Sequence, residues 1–246
     1  MGYGIQLYSV RDLTAENLGA AMEQMSALGY ESVEFAGYGN GTAEDAARYL
    51  KQYGLKTAGS HLSLSKMTPE TIENTIRELK LLEDVNPVCP GAPIDTRQQL
   101  DETIRTLNFA QPRFAREGMT LHFHNHYKEF LPNQDGQIPF DELHRRTDVK
   151  FEIDTYWAFT AGQDPVALME RLKKEGRITL IHLKDGTADK QGFPLGKGCA
   201  PVAQVYDKAL ELGLTIIVES ETLTPSGTDE ARVCMEYLKQ LERRAN

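Results

Sequence analysis

"VKFEIDTYWAFTAGQDPVALMERLKKEGRITLIHLKDG", residues 149–186, reads as strand, helix, strand. The run 149–157 is rich in apolar, β-branched and aromatic residues, as is 178–186. Between them Asp164-Pro165 supplies a helix start, apolar residues recur at helical spacing, and Gly176 supplies a stop. Two strands separated by a full helix cannot form a tight hairpin, so the segment predicts a right-handed βαβ unit in a parallel sheet.

The same alternation extends in both directions. "GIQLYSV" (4–10), "ESVEFAG" (31–37), "KTAGSHLS" (56–63), "NPVCPG" (86–91), "TLHFHNH" (120–126) and "LTIIVESET" (214–222) read as further strands, which makes eight. Helical spacing fills the intervals, with Thr14 read as a start signal and Gly29, Gly54, Gly118 and Gly213 as stops. The fifth connection is less regular: "NQDGQIP" (133–139) is expected to form a small hairpin before a short "FDELHRR" (140–146) helix. Eight β–α units in 246 residues predict a single-domain (β/α)8 TIM barrel spanning 1–246. An open doubly wound sheet fits less well, because no GxGxxG follows a strand.

Composition narrows the function classes. With 40% hydrophobic and 26% charged residues the chain is expected to be globular. A net charge of −9 and a pI near 5.2 disfavour a nucleic-acid partner, which would need Lys and Arg to neutralise phosphates. Cys89, Cys199 and Cys234 are too few and too scattered for a disulfide framework or a CxxC metal knuckle. With no basic, apolar leader and no apolar run of about 18 residues, the expectation is a cytoplasmic protein without a membrane partner. A homo-oligomer is left open.

A barrel carries its functional groups at the C-terminal ends of its strands. Glu34, His61, His124, His126, Asp154, His182, Lys184 and Glu219 all fall there. Such residues are seldom fully buried unless paired or metal-bound. His122, His124 and His126 alternate on one strand and so share a direction. Asp154, His182 and Glu219 sit on three successive strands, a mixed oxygen and nitrogen set suited to one Mn²⁺, Co²⁺, Zn²⁺ or Mg²⁺ ion. A fourth ligand is expected from strand five, with His124 the first choice and His122 the second. Asp154 also reads as a helix N-cap, and Lys184 either steadies a substrate oxygen or pairs with Asp185. Tyr8 and Trp157 are candidates for an apolar wall against substrate, Glu34 and His61 for substrate contacts, and His144 for the surface.

In order along the chain, "IQLYSVRD", "LGYESVEFAGYG", "GSH", "HNHYKEF", "FEIDTYWAFTAGQDP", "IHLKDG", "LGKG" and "IVES" resemble the xylose isomerase-like TIM barrels, labelled sugar phosphate isomerase/epimerase or AP endonuclease family 2. The resemblance implies one divalent metal ion held by Glu, Asp, His and Glu from strands five to eight, and a small-molecule sugar or keto-sugar substrate. Asp154, His182 and Glu219 match the last three positions. Strand five departs: "LHFHNH" stands where the ketose epimerases carry Glu, as in the branch resembling inosose dehydratases. The chemistry implied is proton transfer α to a carbonyl through an ene-diolate, by an isomerase or epimerase acting on a sugar, keto-sugar or cyclitol, with Glu219 or a strand-five histidine as base. A dehydratase or lyase is the alternative. A non-catalytic sugar-binding protein, and a phosphodiesterase resembling endonuclease IV that would need many more ligands and a basic groove, rank behind these.

Overall fold

The computed structural model describes residues 2–245. Eight strands close into a parallel barrel: β1 (Gly4–Gln6), β2 (Ser32–Phe35), β3 (Lys56–His61), β4 (Pro87–Cys89), β5 (His122–His124), β6 (Lys150–Asp154), β7 (Ile178–Leu183) and, last in the chain, β10 (Thr215–Val218). Each pairs with its sequence neighbour, and β1 pairs with β10 to complete the ring. The short strands β8 (Asp185–Gly186) and β9 (Gly192–Phe193) form a separate antiparallel hairpin above β7. No described helix is long and apolar enough to cross a membrane.

Local chemistry sets the helix boundaries. Helices α1 (Arg11–Glu16) and α2 (Leu18–Leu28) follow β1, α3 (Ala43–Tyr53) follows β2, and α4 (Ile72–Leu81) and α5 (Arg97–Ala115) follow β3 and β4. Then come α6 (Pro139–Arg146), α7 (Thr155–Thr160), α8 (Pro165–Lys174), α9 (Val202–Leu212) and α10 (Gly227–Ala245). Thr42 with Asp45 and Thr96 with Gln99 form reciprocal caps on α3 and α5, and the Asp164 carboxylate accepts from Val166 and Ala167 at the start of α8. The stops at Gly29, Gly54, Gly118, Gly176 and Gly213 all have positive φ, the conformation in which a side chain would be strained.

Three local expectations are corrected. Thr14 lies inside α1, and the start of the long helix is Asn17, whose side chain accepts from the Ala20 N–H. "NQDGQIP" forms no strand pair, because the Asn133 side chain accepts from the Asp135 and Gln137 N–H groups and closes a compact turn. The first strand ends at Gln6, whose side-chain oxygen accepts from Tyr8 N and starts a 3-10 turn over Leu7–Val10. Tyr8 is consequently half-exposed, with the Arg11 guanidinium 4.2 Å from its ring centroid.

Leu, Ile, Val and Phe from strands and helices make one contiguous core, but the barrel lumen is not apolar throughout. Glu34 on β2 meets His182 on β7, and His61 on β3 meets Glu152 on β6. Each pair lies three places apart around the ring, so these side chains cross the lumen rather than lie along the sheet. His122 sits lower than His124: its register partner is Lys150 at the start of β6, and its Nε2 lies 2.7 Å from the Thr179 hydroxyl. Burial pushes its pKa down to about 4, so the ring is neutral. His122→Ala would leave a void and an unpaired hydroxyl, and should lower stability by about 2–4 kcal/mol. Denaturant unfolding with an unchanged midpoint would exclude this scaffold role.

Candidate metal centre

Strand β6 carries Glu152 and Asp154 on one face, two residues apart. Asp154 ends the strand and caps α7: its Oδ1 accepts from Trp157 N at 2.8 Å. Its Oδ2 is buried and meets no hydrogen-bond donor among the described residues, with the Lys184 ammonium 3.7 Å away. Capping and metal binding are therefore compatible uses of the two oxygens. Burial, partly offset by Lys184, raises the Asp154 pKa to about 7.

His182 pairs in register with Asp154. Its Nδ1 lies 3.3 Å from Glu219 Oε2, and its Nε2 lies 2.6 Å from Glu34 Oε2. Glu219 follows β10 directly. One donor atom from each of Asp154, His182 and Glu219 falls within 4.8 Å of the others, a spread that one ion with metal–ligand bonds of about 2.0–2.2 Å can bridge after a side-chain shift of a few tenths of an ångström. The three residues expected to act together are brought together, and the unpartnered Asp154 oxygen fits a cation.

Strand five is arranged differently from the expectation for a fourth ligand. His124 groups with His61, Glu152 and His182, with Nδ1 3.2 Å from Glu152 Oε2. His122 belongs to neither group. His126, two residues past β5, packs edge-on against the His124 ring at 5.2 Å and lies 6.1 Å from Trp157. Burial, followed by the nearby Lys184 charge, lowers the His126 pKa to about 4, leaving a neutral imidazole at the rim.

Lys184 is fully buried and held by Glu221 at 2.8 Å, Glu219 at 3.1 Å and Asp154 at 3.7 Å, with its ammonium 4.7 Å from the Trp157 ring centroid. Burial opposes its charge, but these carboxylates keep its pKa above the ordinary lysine range. The alternative pairing with Asp185 does not form: the Asp185 oxygens accept from Gly196, Gly198 and Ala200 N–H groups, which folds "LGKG" over them. A side chain at Gly198 would strike Asp185, which explains that glycine. For Glu219, burial is outweighed by Lys184 and His182, and its carboxyl stays well below the usual range.

Beneath lies a second layer. Glu34 has no exposed surface, so the residue expected to touch substrate is enclosed by Gln6, His61 and His182. Burial acts against its charge, yet His61 and His182 hold its pKa well below normal. His61 has the converse shift, up to about 9, because Glu34 and Glu152 outweigh burial. Burial first, and Glu34 second, lift Glu152 to about 7. Burial and the charges of His182 and His61 press His124 well below its ordinary value.

Above, a cavity of about 450 Å³ opens past His61, His124, His126, Glu219, Glu221 and Tyr8. Trp157 stands behind Lys184 and His126 rather than on this lining. A comparable cavity of about 460 Å³ near the start of β3, beside Lys51, Leu55 and Lys56, holds no such convergence of ionisable groups. His144 is half-buried and pairs with Glu175 far from the mouth. Sequence reasoning missed Gln6, Glu152 and Glu221. Glu152 had a signal, the same two-residue period that links His122, His124 and His126.

The family model described as "Xylose isomerase-like TIM barrel" matches residues 22–241. Among solved structures, a sugar phosphate isomerase/epimerase from Parabacteroides distasonis is 25% identical, with TM-score 0.77, covering 97% of this chain and 93% of that one. A probable 3-DHS dehydratase, AsbF from Bacillus anthracis, is 16% identical with TM-score 0.76, covering 97% and 99%, and shares the fold. So does a D-allulose 3-epimerase from Methylomonas sp. solved with D-allulose, 14% identical with TM-score 0.69, covering 98% and 96%. No curated protein matches the sequence at a significant level. A closed parallel barrel, ionisable residues gathered at its C-terminal mouth and a family match across most of the chain lead to one conclusion: the protein belongs to the xylose isomerase-like TIM-barrel family.

Proposed function

We propose that the protein is a metal-dependent isomerase or epimerase of an unphosphorylated keto-sugar or cyclitol. The observation that carries this reading is Asp154 Oδ2, a buried carboxylate oxygen without a hydrogen-bond donor, facing Lys184 and grouped with His182 and Glu219. These three residues would hold one divalent ion, while His124 lies with His61 and Glu152 in the neighbouring group. When bound, the ion supplies Lewis acidity that polarises a carbonyl and an adjacent hydroxyl and so acidifies the C–H between them.

The chain's own groups divide the remaining work. His126 is neutral and lies on the cavity wall, which suits it to take the proton from the substrate α-carbon, leaving the electron pair in an ene-diolate. Its return to the neighbouring carbon gives an isomer, whereas an epimer requires a second group, for which Glu219 is the candidate, to protonate the opposite face of the same carbon. Lys184 keeps Glu219 ionised and directed, and its buried charge stabilises developing negative charge nearby. The cavity lining includes Glu219 and Glu221 but no Lys or Arg, an electrostatic setting that favours a neutral sugar over its phosphate ester.

A lyase is the second reading, and strand five favours it. Strand five reads "LHFHNH" where the ketose epimerases carry Glu, so the second glutamate that would exchange a proton across the sugar is missing. A single base at the mouth fits removal of one α-proton followed by loss of a β-hydroxyl as water.

Three measurements test these readings. Metal-loaded protein incubated with keto-sugars and inososes in D₂O should place deuterium on one carbon of a free sugar and act on the matching phosphate ester at least about tenfold more slowly. Equal rates would remove the argument for a neutral substrate, and loss of water without isomer would establish the lyase. Asp154→Asn should fold normally yet bind metal at least about tenfold more weakly, since an amide is a poorer ligand than a carboxylate. Unchanged metal content would refute the site. His126→Ala should lower turnover about 10²–10⁴-fold while metal content stays at the wild-type level. Wild-type turnover would move the base elsewhere.

A further inference from the structure

The reading above leaves Glu34 without a task, although fully burying a carboxylate in the barrel is costly. Its surroundings have a defined polarity. The backbone N–H of Tyr8, which can only donate, is bound by Gln6 Oε1 at 3.0 Å. That fixes the orientation of the Gln6 amide, whose Nε2 then donates to Glu34 Oε2 at 2.7 Å. Glu34 Oε2 is thereby set as an acceptor, and the other groups in contact with it are His182 Nε2, at 2.6 Å, and His61 Nε2, at 3.3 Å. His182 must donate through that nitrogen. In a neutral imidazole, a proton on Nε2 leaves the lone pair on Nδ1, the nitrogen 3.3 Å from Glu219.

We propose that Glu34 is a positioning residue which, oriented by Gln6 and the Tyr8 amide, fixes the Nε2–H tautomer of His182 and presents its Nδ1 to a divalent ion beside Asp154 and Glu219. The proposal rests on reading that trio as a metal site. The carboxylate also increases the basicity of the ligating nitrogen, the usual effect of an acceptor behind a metal-bound imidazole. It bears on the neighbouring group of His61, His124, Glu152 and His182, which has donor spacing compatible with a second ion. His182 Nε2 cannot donate to Glu34 and ligate that ion together.

The test combines ring-nitrogen NMR with metal titration. In ¹⁵N-histidine-labelled, metal-free protein at alkaline pH, where the imidazole is neutral, the His182 shifts should report a proton on Nε2. Glu34→Met removes the acceptor and should give a mixture of tautomers together with zinc binding weakened by about 10–100-fold in a chelator competition. Glu34→Gln, which retains an acceptor oxygen, should preserve the tautomer and recover part of the affinity. A proton on Nδ1 in the wild-type protein, wild-type zinc affinity in folded Glu34→Met, or uptake of two zinc ions with the second lost in Glu152→Gln would each overturn the proposal. Wild-type protein that binds no ion overturns the metal reading itself, and the nitrogen shifts then decide the tautomer alone. The wild-type spectrum also decides it should Glu34→Met not fold.

Discussion

A carboxylate enclosed in the lumen of this barrel is costly unless N–H groups or a cation compensate its charge. This constraint orders the upper barrel. Glu34 Oε2 receives Gln6 and His182, Glu219 Oε2 receives Lys184, and Asp154 Oδ1 receives the Trp157 N–H at the start of α7. Buried Lys184 would be as costly alone as the acids are, and becomes acceptable only with Glu219, Glu221 and Asp154 around it. Asp154 Oδ2 is the oxygen at the mouth for which the fold supplies only a distant ammonium.

Glu152 and Asp154 illustrate how position on a strand divides similar groups. Burial lifts both to about 7. Glu152 lies one layer lower, level with His124 and within reach of His61, so its ion-pair partners are imidazoles, with the Glu34 charge nearby. Asp154 lies where the strand gives way to a helix, and the first turn of α7 occupies one of its oxygens while the other faces the mouth. The same carboxylate that begins the helix is thereby held rigidly for the site, since moving it would cost the cap as well as the contact.

Much of the fold was legible because its signals are local. The helix stops at Gly29, Gly54, Gly118, Gly176 and Gly213, the start at Asp164-Pro165 and even the short strand at Pro87–Cys89 required only a few neighbouring residues to read. The trio Asp154, His182 and Glu219 was legible because strand-end positions converge in any closed barrel. What the sequence did not reveal was depth and distant pairing. Glu34 and His61 occupy equivalent-looking strand ends, but β2 shifts register against β3 between Val33 and Glu34, and Glu34 is enclosed while His61 reaches the cavity. Asp185 looked like a partner for the adjacent Lys184, whereas its oxygens serve N–H groups 11, 13 and 15 residues away.

The loops above the strands follow the same rule as the lumen. Buried Glu230 on α10 accepts from the hydroxyls of Ser220 and Thr222 and from the Thr224 N–H, while Arg11 binds the Glu221 carbonyl at 2.7 Å. The segment carrying Glu219 and Glu221 is thus tied on both sides. Asp185 does likewise for the turn after the β8–β9 hairpin, and Lys190 on that hairpin lies 3.6 Å from the Tyr127 ring centroid, bridging the loops that follow β7 and β5. Anchored loops of this kind cost little entropy when a ligand binds, because their backbones are already ordered. The acidic residues at the mouth therefore have their geometry set in advance by buried hydrogen bonds, and His126, carried past the end of β5 and secured by its backbone N–H to Glu129, stands over the same opening.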